Sequence, residues 1–122
     1  MAKYIDVCIF PLSKKSLTLY KKNTLGIGKI LLKHGALSSS DFVADDENAL
    51  KLFFPKFIKV KPSEVLIIAL AEFKSKSHRD KVFKLMHKDP TLEKFMNNSK
   101  VDVDRMMVGG FKGLVNLSHS QK

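Results

Sequence analysis

A chain of 122 residues, 44% hydrophobic and 28% charged, has the length and make-up of one globular domain with a single core. One cysteine excludes an intramolecular disulfide, and the longest apolar run, Val65 to Ala71, is far too short to span a bilayer; a cytoplasmic protein with no membrane partner is expected. The net charge of +10 invites a nucleic-acid partner, yet it is carried by scattered lysines with only Arg79 and Arg105 as arginines, which favours a solvated surface over phosphate or base readout.

Tyr4 to Phe10 alternates, with Ile5, Val7 and Ile9 on one side and Tyr4, Asp6, Cys8 and Phe10 on the other, which predicts a first strand ended by Pro11. Asp6 and Pro11 also interrupt the apolar core that a secretory signal needs. From Ser13 the period becomes helical: Leu17, Tyr20, Thr24, Ile27 and Leu31 form one face, and Lys15, Lys22, Lys29 and Lys33 another. Gly26 and Gly28 weaken this helix and mark either close packing on a sheet or a local bend. Gly35, directly after Lys33-His34, suits a left-handed cap. Leu37 to Ala44 reads as a polar edge strand, closed by the acidic turn Asp45 to Asn48. Ala49 to Pro62 reads as an irregular loop packed down by Phe53, Phe54 and Phe57.

Glu64 to Phe73 is apolar on both faces, the mark of a central strand covered from both sides. Ser77-His78-Arg79-Asp80 reads as a capping box opening a second helix, with Arg79, Val82, Phe83 and Met86 on one stripe. Asp89-Pro90 opens a short third helix from Thr91 to Met96. Arg105 to Phe111 is the last strand, its apolar character extending the reading through Leu114 to Leu117. The domain thus covers residues 1–117, and 118–122 form a frayed tail. The order strand, helix, strand, strand, helix, strand is that of the ferredoxin-like split βαβ arrangement, an α+β fold with a four-stranded antiparallel sheet and helices on one face. The other face of the central strand is then apolar and uncovered, which predicts a homodimer through it.

Taken in order, Tyr4-Ile5-Asp6 with Pro11, Ile27 to Leu37, Asp45-Asp46, Phe54-Pro55, Lys59 with Lys61-Pro62, Glu64, Arg79-Asp80, Asp89-Pro90 and Arg105-Met106 with Gly109-Gly110-Phe111 resemble the YbaA-like family. These are small bacterial proteins of unknown function in the dimeric α/β-barrel superfamily. The resemblance runs from Tyr4 to Leu117 and departs from the family at Leu70 and Val108, where aromatics are usual, and at Ser38, where an acid is usual. It implies a homodimer with two sheets face to face, in a superfamily of small-molecule binders and cofactor-free monooxygenases. It implies no cofactor and no settled reaction.

Asp6 is an acid in mid-strand, suited to a base or ligand anchor, or to a structural pairing with a lysine or Arg105. His34, at a helix C-terminus, stabilises the dipole or transfers a proton. Arg105 suits a carboxylate or phosphate ligand, or a salt bridge to Asp6 or Asp41, the salt bridge being preferred. Cys8 reads as a small buried hydrophobe. No metal site is expected: His78 and His87 are nine residues apart on one helix, and the acidic turns at 45–47 and 102–104 lack the spaced ligands of a calcium loop. Gly109-Gly110 with Gly113 lacks the following Lys-Ser/Thr of a phosphate loop and reads as a bulge or a close backbone approach.

The chain therefore reads as a homodimeric small-molecule-binding protein, with cofactor-independent enzymatic activity left open and no catalytic residue assigned. Asp6, His34, Asp41 and Arg105 are the candidate polar groups of a pocket between helices and sheet, with Tyr4 and Phe54 as its walls. Two alternatives stand beside it. One is RNA binding on the sheet, against which the third strand offers only Phe73 where an RRM stacks several aromatics. The other is a purely structural interaction dimer.

Overall fold

In a computed structural model, described for residues 3–46, 50, 58–96 and 99–119, the chain runs through β1 (Tyr4–Ser13), a 3-10 turn (Lys14–Ser16), α1 (Leu17–Lys33), β2 (Ser38–Val43), β3 (Glu64–Phe73), α2 (Lys76–His87), α3 (Leu92–Met96), a 3-10 turn (Val103–Arg105) and β4 (Met107–Lys112). The strands form one antiparallel sheet in the order β2-β3-β1-β4, the ferredoxin-like topology that the sequence predicts. The expected loop through Phe53, Phe54 and Phe57 lies outside the described residues.

Several boundaries differ from the sequence reading, each for a local reason. β1 continues through Pro11 to Ser13, because β4 pairs with β1 only as far as Ile9 and leaves one side of Pro11 without a ladder to break. α2 is capped by Ser75, whose Oγ accepts from the His78 N–H, so the cap lies two residues before the predicted Ser77. Arg105 belongs to the turn before β4 and not to the strand. Leu114 to Leu117 is not a strand; Leu114 is 95% exposed. Gly35 has φ +115°, the one positive φ among the described residues, and turns the chain from α1 into β2. Gly28 answers the question of bend or packing: a Cβ there would meet the Ser39 side chain at 3.2 Å, so α1 lies close on β2. Gly110 serves the same purpose on β4, where the Tyr4 ring lies directly over it.

Alternation in β1 and β3 sets two faces. Toward the helices point Tyr4, Asp6, Cys8, Phe10 and Leu12, paired with Phe73, Ala71, Ala69, Ile67 and Val65. Large residues stand at the two ends and small ones in the middle. The core is accordingly split in two: Leu31, Ala36, Ala71, Phe73 and Val82 at one end, and Phe10, Leu12 and Ile67, with Leu17 and Tyr20 against them, at the other. The opposite face carries Ile5, Val7 and Ile9 of β1, Ile68 and Leu70 of β3, Phe42 of β2 and Phe111 of β4, with the buried pair Pro11 and Leu66 at one end. Phe42 and Phe111 are 55% and 57% exposed there.

Candidate functional site

Between the two halves of the core lies a cavity of about 350 Å³. It exists because Ala69 and Ala71, flanked by Cys8 and Ser39, give the sheet a floor too low to reach α1. Leu19, Tyr20, Asn23, Thr24, Ile27 and Leu31 of α1 form the opposite wall, and α2 and α3 close it with Phe83, Met86, Leu92 and Phe95. The lining is mainly apolar with a few polar groups, the usual make-up of a small-molecule site.

Two acids reach it from neighbouring registers. Asp6 on β1 is opposite Ala71, and Asp41 on β2 is opposite Ala69. Asp6 is paired with Arg79 of α2, whose Nη1 donates to Oδ1 at 2.5 Å and whose Nε donates to Asp80 at 2.7 Å. The guanidinium lies 5.2 Å from the Tyr4 ring centre and 5.4 Å from that of Phe83, the weakly hydrated cation being held between two aromatic faces. Burial raises the Asp6 carboxyl above its ordinary value, outweighing the pull of Arg79. Asp41 is held by hydroxyls: Tyr20 donates to Oδ1 at 2.6 Å and Thr24 to Oδ2 at 2.9 Å. Burial, assisted by that bond to Asp41, raises the Tyr20 phenol far above its ordinary value. Cys8 lines the same cavity, its thiol raised first by burial and then by Asp6 and Asp41, which disfavours the thiolate.

Of the residues that the sequence singles out, Asp6 and Asp41 line the cavity. Tyr4 does not; it supports Arg79 from outside. His34 stands at the end of α1, where its Nε2–H donates to Asp89 at 2.8 Å beside Lys33 at 3.2 Å. That Asp89 also accepts from the Thr91 N–H and hydroxyl, which hold its carboxyl well below the usual range. Arg105 is the expected ion-pair partner, but of Glu64 and not of Asp6 or Asp41: its Nη1 and Nη2 each donate to the carboxylate at 2.8 Å. Phe54 lies outside the described residues. Arg79, Tyr20, Thr24 and Asn23 carry much of the site's polarity and are not among the sequence-based candidates. Tyr20 and Thr24 lie on the predicted inner face of α1, and Arg79 lies on the predicted stripe of the second helix; these are the available signals. Among the described residues no group of three or more His, Cys, Asp or Glu is arranged to hold a metal.

A family model described as a protein of unknown function, DUF1428, matches residues 3–103. The chain belongs to this family. A curated relative, the uncharacterized protein YbaA of Escherichia coli K12, is 28% identical to this DUF1428 chain over 116 residues, covering 93% of it and 97% of the relative. Among solved structures, a NIPSNAP-like domain protein from Burkholderia xenovorans superposes with a TM-score of 0.51 at 12% identity, over 98% of this chain and 90% of that one. A dimeric ferredoxin-like protein from an uncultured marine organism gives 0.50 at 17% identity, over 99% and 93%. These likenesses establish the fold alone. No helix among the described residues is long and apolar enough to cross a membrane.

Proposed function

We propose that this DUF1428 protein is a cytoplasmic, homodimeric small-molecule-binding protein whose ligand occupies the cavity between the sheet and α1. The observation that carries the reading is the alanine-floored cavity itself, an apolar space with two acids fixed on its wall by neighbouring residues. A chain selected only for stability gains by filling such a space, since lost packing weakens a core. Dimerisation is supported by the apolar face of Ile5, Val7, Ile9, Ile68, Leu70, Phe42 and Phe111, and by the ferredoxin-like neighbour that is itself described as dimeric. That face suits a second sheet better than stacked bases, because its central positions are aliphatic and its aromatics stand on the two edge strands. If the bound molecule is also turned over without a cofactor, Asp6 is the proton acceptor we assign, its Oδ2 having no partner among the described residues.

A thermal-shift screen of a broad metabolite set tests the reading, run in parallel on wild type and Ala69→Leu, which fills the cavity from its floor. At least one compound is expected to raise the wild-type Tm by roughly 3 °C or more, with no effect on the variant. Stabilisation that persists in Ala69→Leu places the ligand elsewhere, and a screen without any stabiliser removes the reading's support.

A further inference from the structure

The charged groups around the cavity are already answered. Asp6 is ion-paired with Arg79, and Asp41 and Lys100, of opposite sign, are exposed side chains of the lining whose charges stay in water. What the interior itself offers is neutral. Asn23 stands on α1 four residues from Leu19 and four from Ile27, lines the cavity between them and is only 9% exposed. Its amide has no hydrogen-bond partner among the described residues. Since none of their fully enclosed side-chain nitrogens or oxygens lacks a partner, that amide faces the open space of the cavity. Ser16 and Ser39, half-buried on the same lining, add hydroxyls that likewise both donate and accept. Asparagine is a weak residue for a helix interior, and an amide taken out of bulk water without a protein partner costs more than it returns. Leucine at that position would extend the apolar stripe and fill space. Asn23 thus has the character of a ligand contact.

We infer that the ligand carries an uncharged carboxamide-type head, donor and acceptor side by side on one edge, which pairs with both the C=O and the NH₂ of Asn23, on an apolar body. This rests on the small-molecule reading above. A carboxylate would bring only acceptors, leave the Asn23 oxygen unpaired and bury an anion on a lining that already holds Asp6. An ammonium would bring only donors, leave the Asn23 NH₂ unpaired and compete with Arg79 for Asp6. A single hydroxyl oxygen cannot lie against both groups as the two atoms of an amide edge can. Ile27, Leu31, Ala71 and Phe83 receive the apolar body.

The test uses two matched series of probes, phenylacetamide, phenylacetate and 2-phenylethylamine, and hexanamide, hexanoate and hexylamine, with ethylbenzene as a purely apolar seventh. Each is titrated into the full chain while the Ala69 and Ala71 methyl resonances are followed. In at least one series the amide is expected to bind roughly tenfold or more tightly than the carboxylate and the amine, as two hydrogen bonds formed without burying a charge would give. Asn23→Leu keeps the volume and removes the pairing: the amide is expected to weaken roughly tenfold, while ethylbenzene, which needs only the apolar walls, keeps its affinity. Asn23→Ala, which leaves space where leucine fills it, is expected to weaken the amide likewise. A carboxylate or amine that binds as tightly as the amide, or an amide whose affinity survives both substitutions, overturns the carboxamide head and leaves the binding cavity standing. Methyl resonances that move with none of the seven probes overturn both.

Discussion

Asp6 shows how a mid-strand acid is made tolerable. Its carboxylate is nearly buried, and the fold supplies Arg79 from α2, itself held between Tyr4 and Phe83 and tied to Asp80. The two partners are not equivalent. Burial raises the Asp6 pKa, so the fold prefers the neutral form: the stability this group contributes is complete below the ordinary aspartate value and declines as pH rises through the raised one. Asp6→Asn, neutral at every pH, should therefore change stability by no more than about 1 kcal/mol at pH 7. Arg79→Ala strands a buried carboxylate and should cost about 3 kcal/mol, and Arg79→Lys should recover little, since an ammonium lacks the planar fork that stacks between the rings. Urea denaturation of the three variants checks this ranking, and equal losses for Asp6→Asn and Arg79→Ala would refute it. Asp6 is conspicuous in the sequence because acids are depleted from strand interiors. Its partner is not, because Arg79 is 73 residues further on and nothing local links the two.

At the scale of elements, the ends of the strands are fastened by ion pairs that the chain order conceals. Arg105, in the turn before β4, grips Glu64 at the start of β3 with both amino groups and also donates to the Lys59 carbonyl, while the Lys61 N–H donates to the same carboxylate. The bidentate bond to Arg105, above all, lowers the Glu64 pKa to about 2. A depressed value means that this contribution to stability is present above the ordinary glutamate value of 4.5 and lost as pH falls through about 2. Between those limits the wild type should lose stability steadily, and Arg105→Ala should make that loss shallower. Some slope will remain, because Glu72 and Asp89 are lowered as well. Denaturation midpoints measured from pH 7 to pH 2 decide it; identical slopes in both proteins would contradict the clasp. The elements themselves were legible to within a few residues wherever periodicity is strong, as in α1 and β3. Misplaced ends were governed by something outside the local pattern: Pro11 by where β4 stops pairing, and the start of α2 by a serine two residues earlier.

On the scale of the whole molecule, one alternation produces both surfaces that matter. Ile67 faces the helices and is 2% exposed, whereas its neighbour Ile68, half-buried, lies on the opposite face with Ile9 and Phe42 as cross-strand partners. Ile68→Glu should therefore yield monomer or insoluble protein, while the wild type scatters light as twice the 13.8 kDa chain mass at micromolar concentration. A soluble variant with unchanged mass would exclude this face as the interface. The sheet order and the apolar character of its second face follow from strand patterns alone, which is why the architecture was readable in advance. A pocket between helices and sheet bordered by Asp6 and Asp41 was expected, but its alanine floor was not: it depends on Ala69 and Ala71 lying opposite Cys8 and Asp6 across a register that joins positions more than sixty residues apart. The measurement that bears most directly on the central claim is native mass spectrometry of the protein drawn gently from cells. We predict a species of two chains carrying up to two small-molecule masses, absent from Ala69→Leu; a bare monomer, or a dimer whose adducts survive that substitution, would contradict the account.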